Sequence, residues 1–153
     1  MMECTQHTLV AHVAVLHHSS ALLVKYKPTP DNQQGWFLPN DDLHFLEHPD
    51  EAAKRILKQQ LGINDASIKM VEIESFAGNN KTWHLIFDYL AFPRSMHVVP
   101  AQLVSEAKWF EIDKLPEAES FAHHGWGKSM LVKHALSKIQ PLRVRDRLQI
   151  VHP

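Results

Sequence analysis

The sequence predicts a single domain of mixed α and β type, and three observations carry that expectation. Four runs of strand length, at 8–16, 21–27, 67–77 and 82–92, are dense in Val, Leu, Ile and aromatic residues. Between the second and third lies a segment bearing the start and stop signals of a helix, and a second amphipathic segment follows near the C-terminal end. No internal repeat, low-complexity tract or Pro/Gly/Ser-rich linker interrupts the 153 residues, so 1–153 read as one domain.

Each element has its own justification. TLVAHVAVL (8–16) has the composition of a buried strand, Ser19 and Ser20 mark a turn, and ALLVKYK (21–27) completes a hairpin. PTPDNQQG (28–35) is a loop by composition, and WFLP (36–39) is a short strand that Pro39 ends. The first helix opens with Pro49, whose fixed φ suits the first helical position, and Asp50 and Glu51 set negative charge against the positive end of the dipole. AAKRILKQQL continues with good helix formers, and Gly62 stands where a left-handed cap belongs. SIKMVEIESFA (67–77) and TWHLIFDYLAF (82–92) are two strands joined by the turn GNNK, and AKWFEIDKLP (107–116) is a strand with its exit. GWGKSMLVKHALSKI (125–139) is a helix with Met130, Leu131, His134, Ala135 and Ile139 on one face.

Composition narrows the function classes. A net charge of −1 with neutral histidines supplies no field to recruit a nucleic-acid polymer or an anionic membrane. Cys4 is the single cysteine, which excludes an intrachain disulfide and a cysteine-cluster zinc site. No apolar run approaches the roughly 20 residues that span a bilayer. The N-terminal stretch has no basic leader and its apolar run is broken by His12, so the expected location is cytoplasmic.

Residues 41–63 resemble the Nudix box, G-x5-E-x7-R-E-U-x-E-E-x-G-U with U aliphatic. The match comprises Glu47, Arg55, Leu57, Gly62 and Ile63, and Trp36, Leu38 and Pro39 fit the usual approach to the box. The order of elements outside the box, including WFEIDKLP before the last helix, is similar to the same superfamily. The resemblance implies a mixed β-sheet sandwiched between α-helices. It implies metal-dependent hydrolysis of nucleoside diphosphates linked to another moiety, a nucleotide-containing small molecule as partner, Mg or Mn as cofactor, and a homodimer as a common assembly. In the family the residues matching Glu47 and Arg55 pair and brace the loop against the helix, and these two are the candidate catalytic residues.

The box is degenerate where metal would bind. Asp41 replaces the opening glycine, and Ile56, Gln59 and Gln60 stand where the family has helix carboxylates. Positions 56, 59 and 60 are spaced i, i+3 and i+4 and share one helix face. Magnesium prefers anionic oxygen, an amide carbonyl is a poorer ligand, and isoleucine offers no ligand atom. Without an ion, water keeps a pKa near 15.7 instead of about 7, and the charge on a diphosphate goes unneutralised. The expectation is weak, atypical or absent hydrolysis, with a non-catalytic nucleotide or nucleotide-sugar binding domain, or an oligomeric scaffold, as the alternative.

Further candidates follow from residue type. His44, with Glu47, is a candidate metal site, and together with His48, Asp41 and Asp42 it crowds the loop before the helix, a donor set that also suits Zn. The more frequent roles are a helix N-cap for His48 and turn hydrogen bonds for the aspartates. Trp83 and His84 are candidate substrate-binding residues, Trp83 by stacking on a base, with a core position the commoner fate of such a tryptophan. His123 and His124, before the second helix, are candidate cleft residues, and the AHHGWGKS segment departs from a P-loop because Ala122 occupies its first glycine. Arg143, Arg145 and Arg147 form a basic stripe in the tail that suits a partner, a phosphate or simple solubility.

Overall fold

The computed structural model describes residues 6–30, 33–78 and 81–135. Cys4 and the Arg143–Arg147 stripe lie outside the described residues. In chain order the elements are β1 (Gln6–His17), β2 (Ser20–Tyr26), β3 (Asn40–Asp42), α1 (Pro49–Leu61), β4 (Ser67–Ala77), β5 (Thr82–Phe92), β6 (Val104–Glu111) and α2 (Trp126–Met130), which a wider π-type turn continues over Leu131–Ala135. The strands form one sheet in the order β4-β5-β1-β2-β6, with β3 paired to β1 off that path. β1 and β5 run parallel, and the remaining pairs are antiparallel.

Period-two alternation divides the apolar residues between two layers. Ala11, Val13 and Val15 of β1 meet Ile56, Leu57 and Leu61 of α1 on one face. Ala14, Leu16 and Leu90 meet Met130 and Leu131 on the other. Ile56 and Leu61 are fully buried, and side chains of this size each contribute about 1.5–3 kcal/mol when taken out of water. The mixed sheet with helical layers on both faces is the architecture expected from the sequence.

Two elements differ from the sequence reading. WFLP is not a strand: Phe37 makes one antiparallel bridge to Val24, and Trp36 one parallel bridge to Phe121. The strand follows instead, at Asn40–Asp42. The reason lies in β1 and β2, which pair only near their hairpin and then diverge. Residues 37–42 fill that wedge by trading partners, from Val24 to Val13, which donates to the Pro39 carbonyl, and on to residues 10–12 of β1. The second helix, expected over 125–139, is a five-residue α-helix and a π-type turn as far as Ala135, and its remaining residues lie outside those described.

Candidate functional site

The loop before α1 is organised by one guanidinium. Arg55 of α1, largely shielded from solvent, donates through Nε to Glu47 Oε2 at 2.9 Å and through Nη2 to Glu47 Oε1 at 3.1 Å. It also donates through Nη1 to Asp41 Oδ2 at 2.7 Å and through Nη2 to the Asp42 carbonyl at 2.8 Å. Glu47 Oε1 further accepts the His44 backbone N–H. The Arg55 hydrogen bonds hold the Glu47 carboxyl below its usual range and raise the guanidinium in turn. His48 is the N-cap, accepting the Asp50 N–H at 3.0 Å, and Gly62 ends the helix at φ 67°, where its N–H meets the Leu57 and Lys58 carbonyls. The local signals place these residues as the sequence implies. Glu47 and Arg55 meet as a pair, and His44 contributes its backbone N–H to the same knot.

The side of α1 that carries Ile56 and Gln60 is closed by neutral hydrogen bonds. Gln60, only 5% exposed, accepts from the Tyr26 hydroxyl at 2.8 Å and donates through Nε2 to the Asn40 carbonyl at 3.0 Å. The Tyr26 oxygen in turn accepts the Asn40 N–H at 3.0 Å. Ile56 is buried, and Gln59 is exposed at the rim of a cavity of about 380 Å³ shared with Lys27, Asn40 and Arg55. A Mg²⁺ or Mn²⁺ ion does not fit this donor set. Gln60 has committed both ends of its amide, Ile56 has no ligand atom, and a carboxylate in place of Gln60 would forfeit the donor that satisfies Asn40.

Across the sheet, β4, β5 and β1 present a different surface. Antiparallel pairing sets Phe76 beside His84, Glu74 beside Ile86 and Glu72 beside Asp88. Parallel pairing sets Thr8, Val10 and His12 beside His84, Ile86 and Asp88. The register is fixed by a bulge between Met70 and Glu72, which turns both glutamates to the α2 side. A cavity of about 600 Å³ opens over this grid, walled by Phe37, Phe76, His84, His123 and Trp126 with Glu74 at its floor. His84 stacks on Phe76 at 5.2 Å and 6°, packed so closely over Gly78 that a Cβ there would collide with the imidazole. His123 meets Phe37 edge-on at 5.7 Å. Trp83 is neither core nor cavity wall. It is 47% exposed on the opposite face of β5 from His84, with its indole N–H on Ser75, because adjacent strand residues point to opposite sides. The side chain of His124 lies outside the described residues.

Beside this cavity the carboxylate oxygens of Glu72, Glu74 and Asp88 lie within 4.8 Å of one another. Among the described residues this is the one set of three acidic, His or Cys side chains whose ligand atoms converge in a way that could hold a metal ion. Asp88 is fully buried. His12, 2% exposed, meets its Oδ1 at 2.9 Å through Nδ1, while Oδ2 has no hydrogen-bond partner. Glu74 takes the Trp126 indole N–H on Oε1 at 3.2 Å, and its buried Oε2 is also without a partner. Trp126 stacks on His12 at 4.1 Å and 2°. Glu72 pairs with Lys133. Burial, then the neighbouring Asp88, pushes Glu74 up to about 7, and burial pushes Asp88 up to about 6. Burial holds His12 down to about 4, so the imidazole is neutral.

This cluster does not emerge from a motif search. Its signal is subtler: Glu72 and Glu74 at i and i+2 of one strand, with His12 and Asp88 as lone polar residues in otherwise apolar runs.

No family model and no curated protein matches the chain. Solved structures do. A MutT Nudix hydrolase from Burkholderia pseudomallei matches with a TM-score of 0.70 and 22% identity, over 84% of this chain and 98% of its own. A Nudix hydrolase from Nitrosomonas europaea matches at 0.67 and 17%, over 87% and 91%. A C. elegans Ap4A hydrolase, solved as a binary complex, matches at 0.66 and 18%, over 84% and 95%.

Proposed function

We propose that this chain, which has the Nudix fold, binds a nucleotide-containing small molecule and does so without box-helix metal hydrolysis. The base occupies the aromatic and imidazole cavity of about 600 Å³ and the phosphates extend toward Lys27 in the cavity of about 380 Å³. Asn40 borders both, which makes one elongated ligand the economical occupant. The observation that carries the non-hydrolytic half of this reading is the Tyr26–Gln60–Asn40 network. It occupies with neutral hydrogen bonds the helix face where the family resemblance puts anionic ligands. Glu47 and Arg55 then act as the brace of the loop.

Calorimetry with a panel of nucleoside di- and triphosphates, dinucleoside polyphosphates and nucleotide sugars tests this in chelator. The expected result is saturable binding of at least one member, weakened about tenfold by His84→Ala, the loss of one stacking plane being worth about 1–3 kcal/mol. A flat response across the panel overturns the binding claim. Turnover with Mg²⁺ or Mn²⁺ that the Glu47→Gln variant loses overturns the non-hydrolytic claim.

A further inference from the structure

We propose that Glu72, Glu74 and Asp88 form a binding site for one hard divalent cation, on the face of the sheet opposite the box helix, where the ion bridges β4 and β5. The site adjoins the cavity proposed above for the base, with Glu74 in both, but its argument does not use the nucleotide.

The first support is an orphaned buried oxygen. Asp88 is fully buried, yet its Oδ2 meets no donor. A buried carboxylate oxygen without a partner carries a desolvation cost that native structures rarely leave standing. It adjoins Glu74, whose Oε2 is equally buried and equally without a donor. In acid a proton held between Glu74 and Asp88 satisfies both oxygens; once both groups ionise, an ion between them takes that place.

The second support is how the two carboxylates are held. His12 engages one Asp88 oxygen and Trp126 one Glu74 oxygen, so each carboxylate is fixed by a donor and keeps its other oxygen for the shared space. Metal-binding carboxylates are braced in this manner by hydrogen bonds from behind. Neither partner brings charge, since the indole is neutral and the buried imidazole is neutral at physiological pH.

Charge supplies the third. Once ionised, the three carboxylates and the one ammonium of Lys133 sum to minus two. A divalent ion cancels that remainder. Carboxylate oxygens bound to one Mg²⁺ or Mn²⁺ at about 2.1 Å lie no more than about 4.2 Å apart. Cis oxygens on such an ion lie about 3.0 Å apart, so the three oxygens, all within 4.8 Å of one another, would be drawn inward on binding. Glu72, at 28% side-chain exposure, leaves a wet side for the water molecules that such ions retain.

Mn²⁺ titration of the full chain, stripped with chelator, decides the matter by electron paramagnetic resonance and by melting temperature. One site per chain is expected, together with a rise in melting temperature on adding Mn²⁺. Glu72→Gln and Glu74→Gln should each weaken binding by more than about tenfold, and Glu106→Gln, a surface residue of β6, should not. Glu72 is the safer variant because its side chain reaches solvent, so loss of binding there is not a folding failure. The proposal is overturned if no saturable Mn²⁺ binding occurs, or if both glutamine variants bind as the parent does. Mn²⁺ lost in Glu47→Gln but kept in Glu74→Gln overturns it too and places the ion at the box. Nucleotide binding in chelator-treated protein is unaffected by any of these results, so the two readings fail separately.

Discussion

At the loop before α1 two carboxylates, Glu47 and Asp41, converge on one guanidinium; across the sheet three carboxylates share one ammonium. The difference is one of geometry as much as number. Arg55 offers a planar fork that reaches both Glu47 oxygens, Asp41 and a backbone carbonyl at once, and so leaves its acids satisfied. Lys133 is a point charge that reaches only the outermost acid of its group, Glu72. The two inner acids are left to the neutral donors of His12 and Trp126. The ionisation shifts record the contrast, downward for Glu47 and upward for Glu74 and Asp88. A region that resembles a metal site in sequence thus has its acids fully hydrogen-bonded to one cation, and a region with no motif carries the larger uncompensated charge.

Removing the fork breaks the comparison most severely. Arg55→Ala strips the partner from Glu47, whose side chain is 12% exposed, and from Asp41. Breaking a buried ion pair from one side costs about 3–5 kcal/mol, and the part-exposure of Asp41 places this case near the lower end, about 3 kcal/mol. Urea unfolding measures it. Glu47→Gln in the Arg55→Ala background should recover part of the loss, because it removes the orphaned charge. Absence of any recovery would mean that Arg55 acts through packing alone.

Adding an acid on the α1 face sharpens the comparison at a smaller scale. Gln60→Glu removes the donor to the Asn40 carbonyl and places a carboxylate at a position 5% exposed. The expected destabilisation is about 2 kcal/mol, the cost of an unsatisfied buried acceptor plus partial desolvation of charge. Tyr26 still donates to the new carboxylate, which keeps the figure from rising further. The same variant should gain no Mn²⁺ affinity at the box, because Ile56 remains without a ligand atom. A gain of Mn²⁺ affinity in Gln60→Glu would show that the amide alone had disabled the face.

The contrast also explains what could be read from residues in order along the chain. The ends of α1 were legible because their signals are local: Pro49, the His48 cap and Gly62 all act within a few residues of the terminus. The Glu47–Arg55 pair was legible through the family pattern, eight residues apart. The segment 36–42 was not, because its pairing depends on how far β1 and β2 diverge, which no local composition encodes. Trp83 was misplaced for a related reason, since a strand's alternation fixes sides but not which side the core takes. The carboxylate cluster was the least legible of all. It depends on a bulge in β4, on the parallel pairing of β1 with β5, and on a contact between His12 and Asp88, which are 76 residues apart.

The mildest test is pH, because the two regions respond with opposite sign. Glu47 has a folded pKa below its free value of 4.5, so its stabilisation is complete above that pH and is lost as acid protonates the carboxylate. Glu74 and Asp88, at about 7 and about 6, hold protons in the folded chain that the unfolded chain has released. Their contribution is therefore most favourable on the acid side and declines as pH rises from about 4 to about 7. His12, at about 4 when folded and 6.5 when free, opposes them, disfavouring folding as pH falls from 6.5 toward 4. Glu72, Lys133 and His134 also face the group, and the ammonium of Lys133 retains its charge throughout. Between about 4.5 and 6 the folded cluster holds two protons, on Glu74 and Asp88, against one on the unfolded His12, so the balance still falls with rising pH. In chelator, melting temperature should peak near pH 5, falling on the acid side with loss of the Arg55 brace and on the neutral side with ionisation of the cluster. Glu47→Gln should flatten only the acid limb and Glu74→Gln only the neutral one. A neutral limb that persists unchanged in Glu74→Gln would show that the β4–β5 acids do not govern it, and the contrast between the two regions would lose its energetic content.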